Sequence, residues 1–478
     1  MENFYRRELP YHENPVDYFE RIRNRHFACL LDSCHDQSTT EENNDRFDIM
    51  TSDPVLTVTV TSEGKTCIHD QNTEISRIEN RDANVFETLS RLSSDIIITP
   101  YDDLPFSCGF LGFWGYELGE FLEKGQVPHR NVDSPLMCAG LFLWSLVIDH
   151  KEQKTWVVMH PSMDKKLGNL LFSRLTTELF ERSQSRFFLN RPFKKTQPPE
   201  SYNHAFAKIQ RYIEAGDCYE VNLTQEFTAG YTGDCWKIYK HLRIKSPAPY
   251  AAFLSTPSME ILSLSPEQFV RMNNERQVET RPIKGTIPRG NTPEQDRAYA
   301  NILMNSKKDQ AENVMIVDLL RNDLGQVCEP GSIKVPELFA LKSYSNVHHL
   351  VSTITGTLSS SHSNFDLMRR CFPGGSITGA PKIRAMQIIR ELEPVARNAY
   401  CGSIGYFNNN QAMDTNIAIR SIVAYNKTLH CWGGGAITSG SQCENEYKES
   451  VTKISNLIDA LHNSKYLPLD GIKKATLA

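Results

Sequence analysis

The chain alternates short apolar runs with polar breaks, and the character of the runs changes near residue 200. Before that point, residues 55–60, 141–148 and 155–159 are rich in β-branched and aromatic side chains, which predicts strands. The longest apolar run, 138–148, is too short to cross a bilayer and reads as a buried strand. The polar stretch DQSTTEENN at 36–44 predicts a loop, and the Pro-rich, basic stretch 190–199 predicts a linker. Beyond it, Phe206, Ile209 and Ile213 recur at helical spacing over 202–214, with Gly216 as the stop. Further helices are expected at 311–320, 383–392 and 447–461, and strands at 260–264, 403–407, 417–423 and 428–432. Helices and strands are mixed throughout, so the class is α/β or α+β. The expected division is an N-terminal region 1–188, a linker 189–200, a catalytic region 201–462 and a tail 463–478.

Composition narrows the function classes. The 478 residues exceed the usual limit of one simple core, so two or three domains or one large multilayer body are open. A net charge of −5, with Lys and Arg spread along the chain, argues against a nucleic-acid partner. The polar opening MENFYRRELPYHENP lacks the apolar core of a secretory signal, and no run is long enough to span a membrane. Twelve cysteines without a CxxC pair suggest neither zinc nor a disulfide framework, so free thiols in a reducing cytoplasm are expected.

Several segments could carry chemistry. Glu446, Glu449 and Lys453 stand at i, i+3 and i+7, so they share one helix face. The glycine-rich stretch 433–440 precedes them and could cradle a carboxylate; a solvated charged face after an ordinary turn is the alternative. Glu312 has Ile316 and Leu319 on its own side, so it is either a boundary residue or a metal ligand of the kind magnesium takes. Residues 374–382, GGSITGAPK, form a glycine-rich loop with Pro381 at a helix start, but lack the spacing of a nucleotide P-loop. Lys284 sits between Pro282-Ile283 and Gly285 in a tight turn at a strand end, where burial could make it a nucleophile; a surface lysine is the commoner case. His348 and His349 open an apolar stretch, as acid–base groups or core histidines. HExxH and GxSxG are missing, which weakens protease and hydrolase readings.

Taken in order, SLSPEQF, TRPIKGT, AENVMIVDLLRND, VHHLVST, GGSITGAPK, AIR and GGGAITSG…ENEYKES resemble the chorismate-utilising enzymes, over 201–461. LPYHENPVDYF, RFDIMTSDP and DLPFSCGFLGFWGYELG extend the likeness through the N-terminal half. The resemblance implies an α+β fold of the anthranilate synthase component I type, with two packed, mainly antiparallel sheets flanked by helices. Within that family, the residue before Gly-Thr in the PIxGT motif is Ala in anthranilate synthases and Lys in the aminodeoxychorismate branch; here it is Lys284. The likeness therefore implies amination of chorismate at C4 on the route to para-aminobenzoate and folate, with Lys284 forming a covalent adduct at C2. Glu267 and His349 are the acid–base candidates. Glu312, Glu446 and Glu449 match magnesium ligands, and Thr378, Tyr406, Arg420, Gly434, Gly435, Ala436 and Lys453 match substrate-binding positions. Ser33, Phe47, Pro249 and Tyr250 match a tryptophan pocket. With no amidotransferase region after residue 461, ammonia is expected from a separate glutamine amidotransferase subunit, which implies a heterodimer, or from solution. An anthranilate synthase and a non-catalytic tryptophan-binding relative are the rival readings. One departure stands out: the family's Gly-Asp-x-Tyr-Gln is Gly216-Asp-Cys-Tyr-Glu220 here, at the position of the water-activating lysine of isochorismate synthases.

Overall fold

The computed structural model describes residues 5–35, 46–177 and 186–462, with short gaps at 72, 80–83, 95, 97–100, 102, 124 and 345–346. The expected loop 36–44 and tail 463–478 lie outside the described residues. Among those described, two antiparallel sheets of 13 and 12 strands carry the fold, with helices on their outer faces. This is the α+β, two-sheet architecture the resemblance implies.

Strand alternation explains why so many strands read as continuous apolar runs. In Phe47–Thr51, Ile49 faces the core between the sheets, whereas Met50 faces a second core under the helices. Likewise Ala252 and Leu254 enter the first core, and Ala251 and Phe253 the second. A strand buried on both faces loses the polar half of its alternation. The helices Cys235–Lys245 and Cys443–Leu461 close the second core through Trp236 and Ile458.

Both sheets combine strands from the two sides of residue 200. Cys29–Asp32 pairs with Tyr250–Ser255 in the larger sheet, and Gly109–Trp114 pairs with Ser403–Asn408 in the other. Residues 189–200, expected as a linker, contribute Lys194–Lys195, which pairs with Glu220–Gly233. The apolar run 141–148 is two strands rather than one: Met137–Phe142 belongs to the smaller sheet and Trp144–Asp149 to the larger, with a bend at Leu143. Hydropathy cannot register that bend, because both halves are buried. The expected strand 417–423 begins later, as Ser421–Tyr425, since Arg420 has a left-handed backbone (φ 49°). All twelve cysteines are free thiols, and no helix among the described residues is long and apolar enough to cross a membrane.

Candidate active site

The glycine-rich stretch is strand as far as Ile437: it ends Thr428–Ile437, paired with Glu220–Gly233 and covered by the last helix. Its glycines permit that close approach, since a Cβ at Gly433 would lie 2.0 Å from the Ser450 carbonyl oxygen. The helix thereby brings Glu446 and Glu449 over Gly435, where a Cβ would stand 3.6 Å and 3.8 Å from their carboxylate oxygens. Glu446 is buried, so this face is not simply solvated.

Glu312 reaches the same region from the helix Lys307–Gly325. Lys308, one turn earlier, links the two elements: its Nζ lies 2.9 Å from Glu446 Oε1 and 3.8 Å from Glu312 Oε1. Lys453 pairs with Glu449 at 2.8 Å. Burial pushes Glu312 up to about 7, against the charge of Lys284, whereas Lys453 holds the half-exposed Glu449 below its ordinary value, against partial desolvation. Among the described residues no three acidic or histidine side chains are gathered tightly enough to form a ready metal cage. Magnesium does not need a preformed all-protein cage, because it keeps several waters in its shell. The hard oxygen donors and the buried Glu312 Oε1, which lacks a hydrogen-bond partner among the described residues, fit such an ion.

Lys284 lies within the strand Ile283–Pro288 rather than in a turn. A register shift between Ile283 and Thr286, with Gly285 at φ +85°, makes a bulge there. Lys284 is buried and its Nζ donates to Glu220 Oε1 at 2.9 Å, joining the end strand of one sheet to the other sheet. Burial alone favours the neutral amine, but Glu220, Glu312 and Glu267 outweigh it and hold Lys284 above its ordinary value. Glu267 is buried beside this lysine; burial raises it to about 7, tempered by a hydrogen bond from Ser376 and by the Lys284 charge. Burial and the neighbouring Arg420 charge push His349 down to about 3, so it is a neutral imidazole, 2.7 Å from the Thr286 hydroxyl.

Arg420 also has its charge disfavoured by burial, and among the described residues its side chain forms no ion pair. Its guanidinium feels the Glu267 charge but makes no direct ion pair, which suits it to a ligand carboxylate. The Thr378 hydroxyl donates to the Gly374 and Gly375 carbonyls, so it closes the glycine-rich turn. Pro381 is the cap of the following helix rather than its first residue. Arg397 buttresses this loop, donating to the Ile377 and Asn222 carbonyls.

Tyr406, expected among the substrate contacts, lines a different cavity. It shares a face of Ser403–Asn408 with Ile404, and both open on a pocket walled by Ser33, Phe47, Pro249 and Tyr250. Asp414 and Arg271 supply charge there; Asp414 Oδ1 is buried without a hydrogen-bond partner among the described residues, and burial raises its carboxyl to about 7. The resemblance did not single out Lys308, Ser376, Asp414 or Arg271. Of these Lys308 lies outside the expected helix 311–320; the observed helix starts earlier, at Lys307, and so puts Lys308 one turn before Glu312.

The family model for chorismate binding enzyme matches residues 33–459. The chain is 40% identical over 462 residues to aminodeoxychorismate synthase component 1 of Salmonella typhimurium, covering 95% of this chain and 98% of that one. It is 40% identical to the Escherichia coli protein of the same name, over 93% of this chain and 95% of that one. The crystal structure of anthranilate synthase component I from Streptococcus pneumoniae superposes with a TM-score of 0.76 at 28% identity, covering 89% of this chain and 95% of that chain. A buried lysine among carboxylates, an unpaired arginine and a match along nearly the whole sequence lead to one conclusion: the chain belongs to the family of chorismate binding enzymes.

Proposed function

We propose that this chain aminates chorismate at C4 to give 4-amino-4-deoxychorismate, with Lys284 as nucleophile and Glu267 as acid. The observation that carries the reading is a buried Lys284 with the protonatable Glu267 in electrostatic reach. Lys284 bonds to C2; the two ring double bonds shift, and the C4–oxygen bond breaks. Glu267 protonates the departing oxygen, which leaves as water. Ammonia then bonds to C4, the double bonds shift back, and the lysine is expelled. Splitting one exchange into two displacements lowers each barrier. Glu267 suits the acid role because about 7 leaves much of it protonated near neutrality; His349, at about 3, has no imidazolium proton to give and serves as a hydrogen-bonding partner.

Glu312, Glu446 and Glu449 would hold magnesium, which when bound would withdraw charge from the ring carboxylate. Arg420, Lys453 and the backbone of Gly434, Gly435 and Ala436 would bind the carboxylates, with Thr378 shaping the loop beside them. The relatives' designation as component 1 supports a second component, a glutamine amidotransferase that supplies ammonia. A lyase acting on the product would release para-aminobenzoate for folate, in the cytoplasm. The cavity at Ser33, Phe47, Pro249 and Tyr250 would take tryptophan, whose ammonium suits the unpartnered Asp414 oxygen.

The test is incubation with chorismate, magnesium and ammonium, with products identified by mass and chromatography. Aminodeoxychorismate that is absent with Lys284→Ala supports the reading. Anthranilate would overturn the role of Lys284, and unconsumed chorismate would favour a non-catalytic tryptophan-binding protein.

A further inference from the structure

Lys284 must lose a proton before its nitrogen can form a bond, and its surroundings work against that loss. We propose that Glu220 is the catalytic base that takes this proton as the lysine nitrogen bonds to ring carbon C2, a role that rests on the covalent-lysine reading above. Glu220 opens the strand Glu220–Gly233, and a close contact fixes its backbone: a Cβ at Gly379 would lie 2.1 Å from the Glu220 carbonyl oxygen. Its side chain is fully buried and accepts from Lys284 Nζ at 2.9 Å, already the distance of a proton transfer. Its second oxygen, Oε2, is buried and has no hydrogen-bond partner among the described residues. A purely structural ion pair would be expected to satisfy both oxygens, since an unsatisfied buried acceptor is costly.

The other acids facing Lys284 are placed for different work. Glu312 belongs to the carboxylate group bridged by Lys308, and Glu267 accepts from Ser376 and faces Lys453 and Arg420. Glu220 is thus the carboxylate in hydrogen-bond contact with the reacting nitrogen.

The step balances. The Lys284 ammonium passes one proton to Glu220, and the freed lone pair forms the N–C2 bond. The C1=C2 and C5=C6 pairs move to C1=C6 and C4=C5, the C4–O bond breaks, and the Glu267 proton leaves with that oxygen as water. The adduct nitrogen is then a secondary ammonium. When ammonia bonds to C4, the double bonds return to C1=C2 and C5=C6, the N–C2 bond breaks, and the lysine departs as an amine and recovers its proton from Glu220. Glu267 is recharged by the ammonium ion that supplies the ammonia. A glutamine at this position offers no such acceptor.

The experiment follows adduct formation by rapid quench and intact mass, with chorismate and magnesium but no ammonium. The wild type should gain the mass of chorismate less water on Lys284. Glu220→Gln should form it about 100-fold more slowly. Glu220→Ala should be equally slow and should recover at least tenfold with added formate, which an inter-sheet brace would not do. Wild-type rates in Glu220→Gln, or a slow Glu220→Ala that formate does not restore, would overturn the role of Glu220 alone. Absence of the adduct in the wild type would overturn the covalent lysine, and this base with it.

Discussion

Replacing Glu267 by Gln should separate activity from stability, because the wild-type side chain is kept in an unfavourable setting. Burial moves its carboxyl from the ordinary value of 4.5 to about 7. At about 1.4 kcal/mol per pH unit, that interval corresponds to roughly 3 kcal/mol of differential stability. The sign follows from proton counting. Below pH 4.5 the folded and unfolded states both hold the proton, so the full contribution is present. Between 4.5 and about 7 the unfolded chain has released it and the folded one has not, so stability falls as pH rises. Above about 7 both states are ionised and the loss levels off. Glutamine has nearly the same volume and no charge to desolvate. Urea unfolding of both proteins from pH 5 to 9 should therefore show Glu267→Gln gaining on the wild type by up to about 3 kcal/mol, mostly before pH 8. Adduct formation should meanwhile fall by at least about 100-fold, because the departing oxygen loses its acid. A stability difference that stays flat across that range would refute the burial argument, and undiminished adduct formation would remove Glu267 from the chemistry.

Other perturbations test the surrounding parts. Gly433→Ala puts a methyl group 2.0 Å from the Ser450 carbonyl oxygen, so the last helix must move; a loss of about 1–3 kcal/mol in urea unfolding, with a raised KM for chorismate, is expected. Glu449→Gln should raise the magnesium concentration for half-maximal turnover about tenfold or more, and an unchanged magnesium response would remove Glu449 from the metal set. Asp414→Asn should weaken tryptophan binding measured by calorimetry while leaving the KM for chorismate unchanged, because Asp414 lies in the other cavity.

Much of the site was legible because its residues sit in short, ordered motifs. Glu312, Glu446 and Glu449 could be placed on helix faces by spacing, and the structure brings those faces together. Tyr406 shows the limit of such reading. A motif gives the strand, but which side a residue faces depends on pairing, and pairing puts Tyr406 beside Ile404 on the other cavity. Lys284 likewise resembled a turn residue, because a bulge and a turn use the same Pro and Gly signals. The bend at Leu143 left no hydropathic trace, since the chain passes directly from one buried sheet to the other. Glu220 was visible as a departure from the family pattern, but its role needed the distance to Lys284.

The placement of the final strands has a consequence for synthesis on the ribosome. Ser421–Tyr425 and Thr428–Ile437 fit between Glu260–Ser265 and Glu220–Gly233, strands made roughly 160 to 215 residues earlier. Until they emerge, those two earlier strands present open edges, the surfaces on which unfinished chains pair with one another. Contacts so distant in sequence also close slowly. Acquisition of the native state is thus deferred nearly to the end of translation, and C-terminal truncations that remove Thr428–Ile437 should accumulate as aggregates rather than as smaller folded proteins.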